Sequence, residues 1–159
     1  MKIDSIKNYI SLEQENLFNS LIDEIYELSF HLNNSYPGYN KWFYEKHVVG
    51  CKNSSRDIIF IKNENDKIIA FSCLKNEDEK KICTIYVADE YRNKGIGSIL
   101  FKESFKVLET TKPLITIMED KLYMFEKIIT KYKWELTDAI YSKYHDVMLE
   151  FCFNEKMPK

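Results

Sequence analysis

Hydrophobic residues follow two different spacings along the chain, and these predict alternating helices and strands. Apolar residues that recur every three or four positions predict amphipathic helices, and short runs rich in isoleucine and phenylalanine predict strands. Helices are predicted to begin near Ser11, Asn40, Gly95 and Asp120. Strands are predicted over residues 1–10, 57–62, 67–75, 81–88, 114–118, 134–140 and 147–153.

Polar residues and glycine mark the ends of the first two predicted helices. Ser11 and Gln14 have the spacing of a capping box, in which two side chains satisfy the first N–H groups of a helix. The apolar residues that follow at helical spacing are Leu17, Phe18, Leu21, Ile22, Ile25, Leu28 and Leu32. The second helix, residues 41–49, is aromatic. We predict that Asn40 caps it and that Gly50 ends it.

The order of these elements predicts one α/β domain. Residues 63–66 have the composition of a hairpin turn, so the strands on either side should pair in antiparallel fashion. The later strand–helix–strand crossovers predict parallel or mixed pairing. We therefore expect a single mixed, mostly antiparallel sheet with helices on both faces, and one domain over residues 1–159.

Composition narrows the class of protein. A net charge of −2 and a pI near 6.0 favour neither nucleic acid nor an anionic membrane as a partner. The four cysteines lack C-x-x-C spacing and the histidines form no ligand set, so no metal is expected. No apolar run approaches the ~20 residues of a membrane span, and residues 1–10 lack a signal-peptide core. We expect a cytoplasmic protein.

The turn at residues 92–98, between a predicted strand and a predicted helix, carries the clearest chemical signal. Gly95 and Gly97 leave the backbone accessible, so successive N–H groups can converge on one anion. The helix start adds partial positive charge, and Arg92 and Lys94 add full charges, which suits a diphosphate. The segment reads Arg92, Asn93, Lys94, Gly95, Ile96, Gly97 and Ser98.

Other phosphate-binding motifs do not fit this turn. Leu100 stands in place of the third glycine of the dinucleotide fingerprint, and no P-loop is present. The segment resembles instead the acetyl-coenzyme A signature of the GNAT family of N-acetyltransferases, an Arg/Gln-x-x-Gly-x-Gly/Ala turn after an apolar-aromatic-Val strand. The residue-level resemblance covers residues 82–108. It implies the acyl-CoA N-acyltransferase fold, acetyl-coenzyme A as cofactor, and direct acetyl transfer to a primary amine.

The resemblance also implies where coenzyme A lies. The diphosphate would bind the turn, and the pantetheine arm would run along strand 81–88 like an added strand. That strand and strand 114–118 would splay apart to admit it, and a strand N–H would stabilise the oxyanion that forms on the thioester. The strand residues concerned are Ile85, Tyr86 and Val87.

Two positions depart from the family's pattern. Phe125 stands where many relatives have a tyrosine that protonates the leaving thiolate, so Tyr123 is the candidate proton donor, with Tyr132 as an alternative. Lys81 stands where some relatives have a glutamate base. Glu119 is therefore the candidate base, and the acidic loop before that strand is the alternative.

The acceptor should enter opposite coenzyme A, over aromatic residues between the first two helices. Tyr36, Tyr39 and Trp42 are the candidates, because their faces can hold an amine by cation–π contact. The expected partner is a small-molecule or peptide amine, and a homodimer is compatible with this hypothesis. Two rival hypotheses are an acyl-coenzyme A binding module without turnover and an interaction domain in which the glycine turn is only structural.

Overall fold

The computed structural model describes residues 1–142 and 148–155, and its elements follow the predicted order. Residue 147, the first of the last predicted strand, lies outside the described residues. The strands are β1 (Lys2–Ser5), β2 (Arg56–Lys62), β3 (Ile68–Asn76), β4 (Lys80–Val87), β5 (Ile115–Met118), β6 (Leu136–Tyr141) and β7 (Leu149–Phe153). The helices are α1 (Glu15–Ser29), α2 (Tyr39–Trp42), α3 (Val48–Lys52), α4 (Ile96–Leu108) and α5 (Glu126–Tyr132), with a π-helical segment, Phe43–His47, between α2 and α3.

The two halves of the sheet are joined only at one end of β4 and β5. Strands pair antiparallel in the orders β1-β2-β3-β4 and β5-β7-β6. A parallel bridge between Lys81 and Leu114 connects β4 to β5, where the Ile82 N–H donates to the Leu114 carbonyl (3.0 Å). The predicted mixed, mostly antiparallel sheet is confirmed, and the described residues of β4 and β5 make no strand pairing beyond this bridge.

A β-bulge in β4 accompanies this opening. Leu74 of β3 lies opposite Ile82, whereas the preceding Cys73 lies opposite Thr84, so Cys83 is an extra residue without a partner on β3. An extra residue bends its strand and increases the local twist. The bulge follows directly after the bridge to β5, so the two strands separate from that point.

Helices cover both faces of the sheet, as predicted. α1, α2 and α3 enclose one hydrophobic cluster with β2 and β3, and α4 encloses a second cluster on the opposite face, against which α5 packs. Because both faces are covered, nearly all of β2 and β3 is buried and neither strand shows alternating exposure. The Ser72 and Ser104 hydroxyls meet at 2.8 Å between β3 and α4, which fixes α4 against the strand. Within the described ranges, no helix is both long and apolar enough to cross a membrane.

The helix boundaries differ from those predicted. Ser11 Oγ contacts Gln14 Oε1 (3.1 Å) instead of a backbone N–H, and α1 begins at Glu15 after a 3₁₀ turn. Asn40 lies inside α2 and does not cap it. The prediction that Gly50 ends the second helix is wrong, because α3 continues through it. A Cβ at Gly50 would lie 2.6 Å from Arg56 Cδ, so this glycine makes room for an arginine.

Beside Gly50 lies His47, a fully buried histidine. Its Nδ1 faces Arg56 Nη1 at 3.2 Å and its Nε2 faces the Asp57 carbonyl at 3.0 Å. Arginine can only donate, so Nδ1 accepts and Nε2–H donates. Burial lowers the pKa of His47 to about 3, and the charge of Arg56 acts in the same direction. The imidazole is therefore a neutral structural link between the π-helical segment and β2.

We predict that His47 makes the protein less stable at acid pH. The folded imidazole stays neutral down to about pH 3, whereas in the unfolded chain it takes up a proton below about 6.5. The unfolded state therefore binds more protons in this window, and stability falls as the pH falls. The stability advantage of the wild type over His47→Gln should shrink by about 1.4 kcal/mol per pH unit between these values, measured by urea unfolding. The titration of Asp57 is common to both proteins, so it cancels in the difference between their free energies of unfolding. If these free energies changed with pH in parallel, the prediction would be contradicted.

Candidate active site

The connection from β4 to α4 is a compact turn held in unusual backbone conformations. A 3₁₀ turn, Asp89–Tyr91, follows β4, and Asn93 and Gly95 then have φ angles of 60° and 83°. Glycine adopts such angles without the strain that a Cβ causes. Ile96 is 1% exposed and packs in the cluster under α4, so it fixes the turn to the core.

The backbone amides of this turn are available to a ligand. Among the described residues, no acceptor receives the N–H groups of residues 95–98, and the first amide used at this helix start is Ile99, which donates to the Gly95 carbonyl (3.3 Å). A Cβ built at Gly95 or Gly97 meets nothing within 4 Å, so side chains do not fill the turn. Unpaired N–H groups at a helix start attract anions. The turn is a candidate diphosphate site.

Arg92 and Lys94 have different surroundings. Arg92 Nε donates to the Val87 carbonyl (3.1 Å), its Nη2 pairs with Asp89 (3.2 Å), and its Cζ lies 5.5 Å from the centroid of the Tyr86 ring. This arginine therefore holds the turn against the end of β4. Lys94 is exposed, with its Nζ 5.7 Å from the Tyr91 ring, and is the freer of the two cations.

One edge of β4 presents backbone N–H groups to the gap that have no acceptor among the residues the structure describes. The Ala88 N–H donates to Ile69 of β3 (2.9 Å). Successive residues of a strand point to alternate edges, so Tyr86 also faces β3, whereas Ile85 and Val87 face the gap. The bond from Arg92 to the Val87 carbonyl agrees with this orientation. The Ile85 and Val87 amides thus form an open edge that leads to the turn.

A cavity of about 170 Å³ lies across the gap. Its walls are Asn34, Ser35, Tyr36, Met118, Asp120, Lys121 and Met148. Lys81 and Leu114 are bridge partners on parallel strands. Four residues further along each strand, Met118 is therefore level with Ile85, apart from a shift of one residue caused by the bulge. The cavity therefore opens near the free edge of β4, on the face covered by α1 and α2.

The three aromatic acceptor candidates lie in different environments. Tyr36 lines the cavity. Tyr39 is 6% exposed, its hydroxyl meets Ser29 Oγ at 2.9 Å, and its ring stacks on that of Tyr26, so it belongs to the core. Trp42 is half-buried with its ring 5.1 Å from that of His47. Only Tyr36 of the three lines the cavity.

The candidate catalytic residues are placed as follows. Glu119 Oε1 accepts the Leu149 N–H (2.9 Å), so this carboxylate holds the start of β7. Tyr123 is 70% exposed in the 3₁₀ turn before α5. Phe125 and Tyr132 pack against rings of α4 with centroids 6.0 and 4.9 Å apart. The roles of Glu119 and Tyr123 as base and proton donor stay predictions.

A family model matches this chain and agrees with the geometry of the site. The model described as the acetyltransferase (GNAT) family matches residues 8–112, well over half of the chain. The chain belongs to the GNAT acetyltransferase family. The resemblance found in the turn is thereby confirmed, and so is the predicted fold. Acetyl-coenzyme A is the cofactor expected with this family.

Solved acetyltransferase structures share this fold, two of them over nearly all of the chain. An aminoglycoside 6′-N-acetyltransferase complexed with coenzyme A has a TM-score of 0.64 at 13% identity, covering 96% of this chain and 95% of that chain. A GNAT acetyltransferase from Bacillus cereus ATCC 10987 has a TM-score of 0.63 at 17% identity, covering 100% of both chains. A nourseothricin acetyltransferase matches over 64% of this chain, which spans 65% of its length, with a TM-score of 0.54 at 10% identity. No curated protein matches the sequence.

The polar wall of the cavity has no signature in the sequence. The sequence pattern predicts only a helix start near Asp120, although this residue lines the cavity in the turn before α5. His31 was not a candidate, yet its ring centroid lies 5.1 Å from that of Tyr86. No local pattern marks either residue, because the cavity combines segments far apart in sequence.

We predict that Gly97→Glu abolishes coenzyme A binding without unfolding the protein. The new side chain meets no atom within 4 Å at its Cβ, and a carboxylate in the first helical turn is stabilising. The same carboxylate would repel a diphosphate, since like charges in an interface cost several kcal/mol. Calorimetric titration should show affinity reduced at least about a hundredfold, with an unchanged or higher melting temperature.

Lys102→Glu is the matched control, because Lys102 is an exposed residue further along the same helix. It changes the net charge more than Gly97→Glu does, yet coenzyme A affinity should change little. Equal losses in the two variants would point to overall charge and remove the turn as the site.

Proposed function

We propose that this protein transfers the acetyl group of acetyl-coenzyme A directly to the primary amine of a small molecule. The observation that carries the proposal is the presence of two sets of backbone N–H groups without an acceptor among the described residues, at Ile85 and Val87 on the edge of β4 and at the start of α4. Family membership and the coenzyme A bound to the solved aminoglycoside acetyltransferase support it.

Backbone groups are proposed to hold the donor. The amides of residues 93–98 bind the diphosphate, assisted by Lys94, and the Ile85 and Val87 groups at the gap bind the pantetheine arm. Acetyl-coenzyme A supplies the acyl group as a thioester. An Ile85 or Val87 N–H beside the thioester carbonyl would stabilise the negative charge that develops on its oxygen.

The cavity across the gap is proposed to hold the acceptor. Its volume of about 170 Å³ is below the ~300–1,000 Å³ of ordinary ligand pockets, which favours a small amine over a peptide or an aminoglycoside. Asp120 provides a carboxylate for a second polar group or for the amine itself, and Tyr36 provides an aromatic face. A cytoplasmic location belongs to the same proposal, because the cysteines are free thiols, as in a reducing compartment.

A binding module without turnover is the second candidate. It is favoured by Phe125 and Lys81, which replace the family's acid and base, and by Glu119, which is bonded to the β7 backbone. Such a module would bind coenzyme A by the same amides and would release no thiol.

Two measurements on the purified protein distinguish these functions. Calorimetric titration with coenzyme A should give a dissociation constant between about 1 μM and 1 mM, typical of an enzyme substrate. Thiol release from acetyl-coenzyme A should rise above background with at least one member of a panel of small primary amines. Binding without thiol release would favour the module, and the absence of binding would overturn both functions.

We predict that Asp120→Asn weakens acceptor binding and leaves donor binding unchanged. Loss of one charged contact at a half-open site should raise KM for the best amine about tenfold, with kcat within about threefold because Asp120 is proposed to bind and not to react. Glu126→Gln, which neutralises an exposed carboxylate at the start of α5, is the control and should leave KM unchanged. A wild-type KM in Asp120→Asn would place the acceptor elsewhere.

A further inference from the structure

We propose that His31 accepts the proton that the acceptor amine loses as it attacks the thioester. The inference rests on the proposed transferase function and assigns the base that the sequence pattern leaves open. Aliphatic amines attack as the neutral form, so a group near the acceptor must take up a proton. Imidazole is the side chain best suited to this at neutral pH.

Position is the first argument for His31. It belongs to the 3₁₀ turn Phe30–Asn34, and the cavity wall begins three residues later with Asn34, Ser35 and Tyr36. Its exposed ring lies 5.1 Å from the Tyr86 ring, centroid to centroid. Tyr86 stands in β4 between Ile85 and Val87, the two residues whose N–H groups face the gap. The imidazole thus lies next to β4 at the proposed thioester site, on the segment that continues into the cavity wall.

The alternatives to His31 are engaged or distant. Glu119 accepts a β7 amide. Glu77 and Glu79 both pair with Lys75 in the β3–β4 connection, at the opposite end of β4 from the coenzyme A turn. His47 is fully buried and bonded on both ring nitrogens.

Asp120 is the remaining carboxylate at the cavity, and the two residues predict different kinetics. A residue that only binds the acceptor affects KM, whereas a residue that accepts the proton in the transition state affects kcat. Measuring both parameters in both variants therefore separates the roles.

The charged groups around His31 come from three elements. Glu27 lies one turn earlier in α1, and Arg92 lies over the Tyr86 ring, with its Cζ 5.5 Å from the centroid. Asp120 and Lys121 stand at the cavity on the segment after β5. The proposed reaction does not require any of these four groups to gain or lose a proton. A pH dependence of kcat that is lost when His31 is replaced is therefore assigned to His31.

The proposed step balances as follows. The amine nitrogen bonds to the thioester carbonyl carbon, the carbon–sulfur bond breaks, and the sulfur keeps the electron pair. One proton passes from the nitrogen to the neutral imidazole, directly or through one water, and then to solvent. The coenzyme A thiolate takes a proton from solvent, so the products are the amide and free coenzyme A.

The test compares wild type, His31→Gln and His31→Ala with the best amine of the panel. A positioned general base contributes about 10²- to 10⁴-fold, so kcat in His31→Gln should fall at least about a hundredfold, with KM for both substrates within about threefold. In the wild type kcat should fall toward acid pH, and the residual kcat of His31→Gln should not show this fall. Added imidazole should restore part of the activity of His31→Ala.

The control is Glu27→Gln, which alters an exposed charge on the neighbouring helix turn and should retain wild-type kcat. Melting temperatures establish that all variants are folded. If His31→Gln keeps wild-type kcat, or if kcat falls but the acid limb persists and imidazole restores nothing, the inference is overturned. If the wild type itself releases no thiol with any amine, the proposed function fails first and the inference falls with it.

Discussion

The incomplete hydrogen bonding between β4 and β5 is the constraint on which the candidate site depends. Backbone groups inside a sheet are normally paired, and unpaired ones are costly when buried. Here the bridge at Lys81 and Leu114 joins the strands at one end, and the bulge at Cys83 follows it. The Ile85 and Val87 amides, which face the gap, are left for an extended ligand. The pantetheine arm, which carries amides of its own, is proposed to complete the sheet in place of β5.

Glycine and isoleucine have different roles at the start of α4. Gly95 and Gly97 have open space where a Cβ would stand, and Ile96 between them is buried in the cluster beneath. One side of the turn is thus fixed to the core and the other is free of side chains. Arg92, bonded to the Val87 carbonyl, ties the same turn to β4. A turn positioned before its ligand arrives loses less entropy on binding.

The sequence predicted those parts of the molecule that depend on local pattern. Helical spacing, strand composition and the two glycines of the turn gave the order of elements, the mixed sheet and the candidate diphosphate site. Features set by distant residues were missed: Gly50 continues a helix because Arg56 of β2 needs the space, and Tyr39 is held in the core by Ser29 of α1. Asp120 and His31 gain their positions only when α1, β4 and the segment after β5 are brought together. Propensity and spacing describe neighbours in the chain and carry no information on such contacts.

Donor and acceptor are proposed to meet different kinds of chemistry on the two sides of β4. The donor side consists mainly of backbone N–H groups, which any sequence with the glycine turn and the bulge can provide. The acceptor side consists of side chains from three segments, including Tyr36, Asp120 and His31. Substitution there can change the size and charge of the cavity without disturbing the sheet, since these residues lie outside the strands. A fold built in this way can retain one acyl donor while its acceptor changes, which is why the turn identifies the family and leaves the amine to be found by experiment.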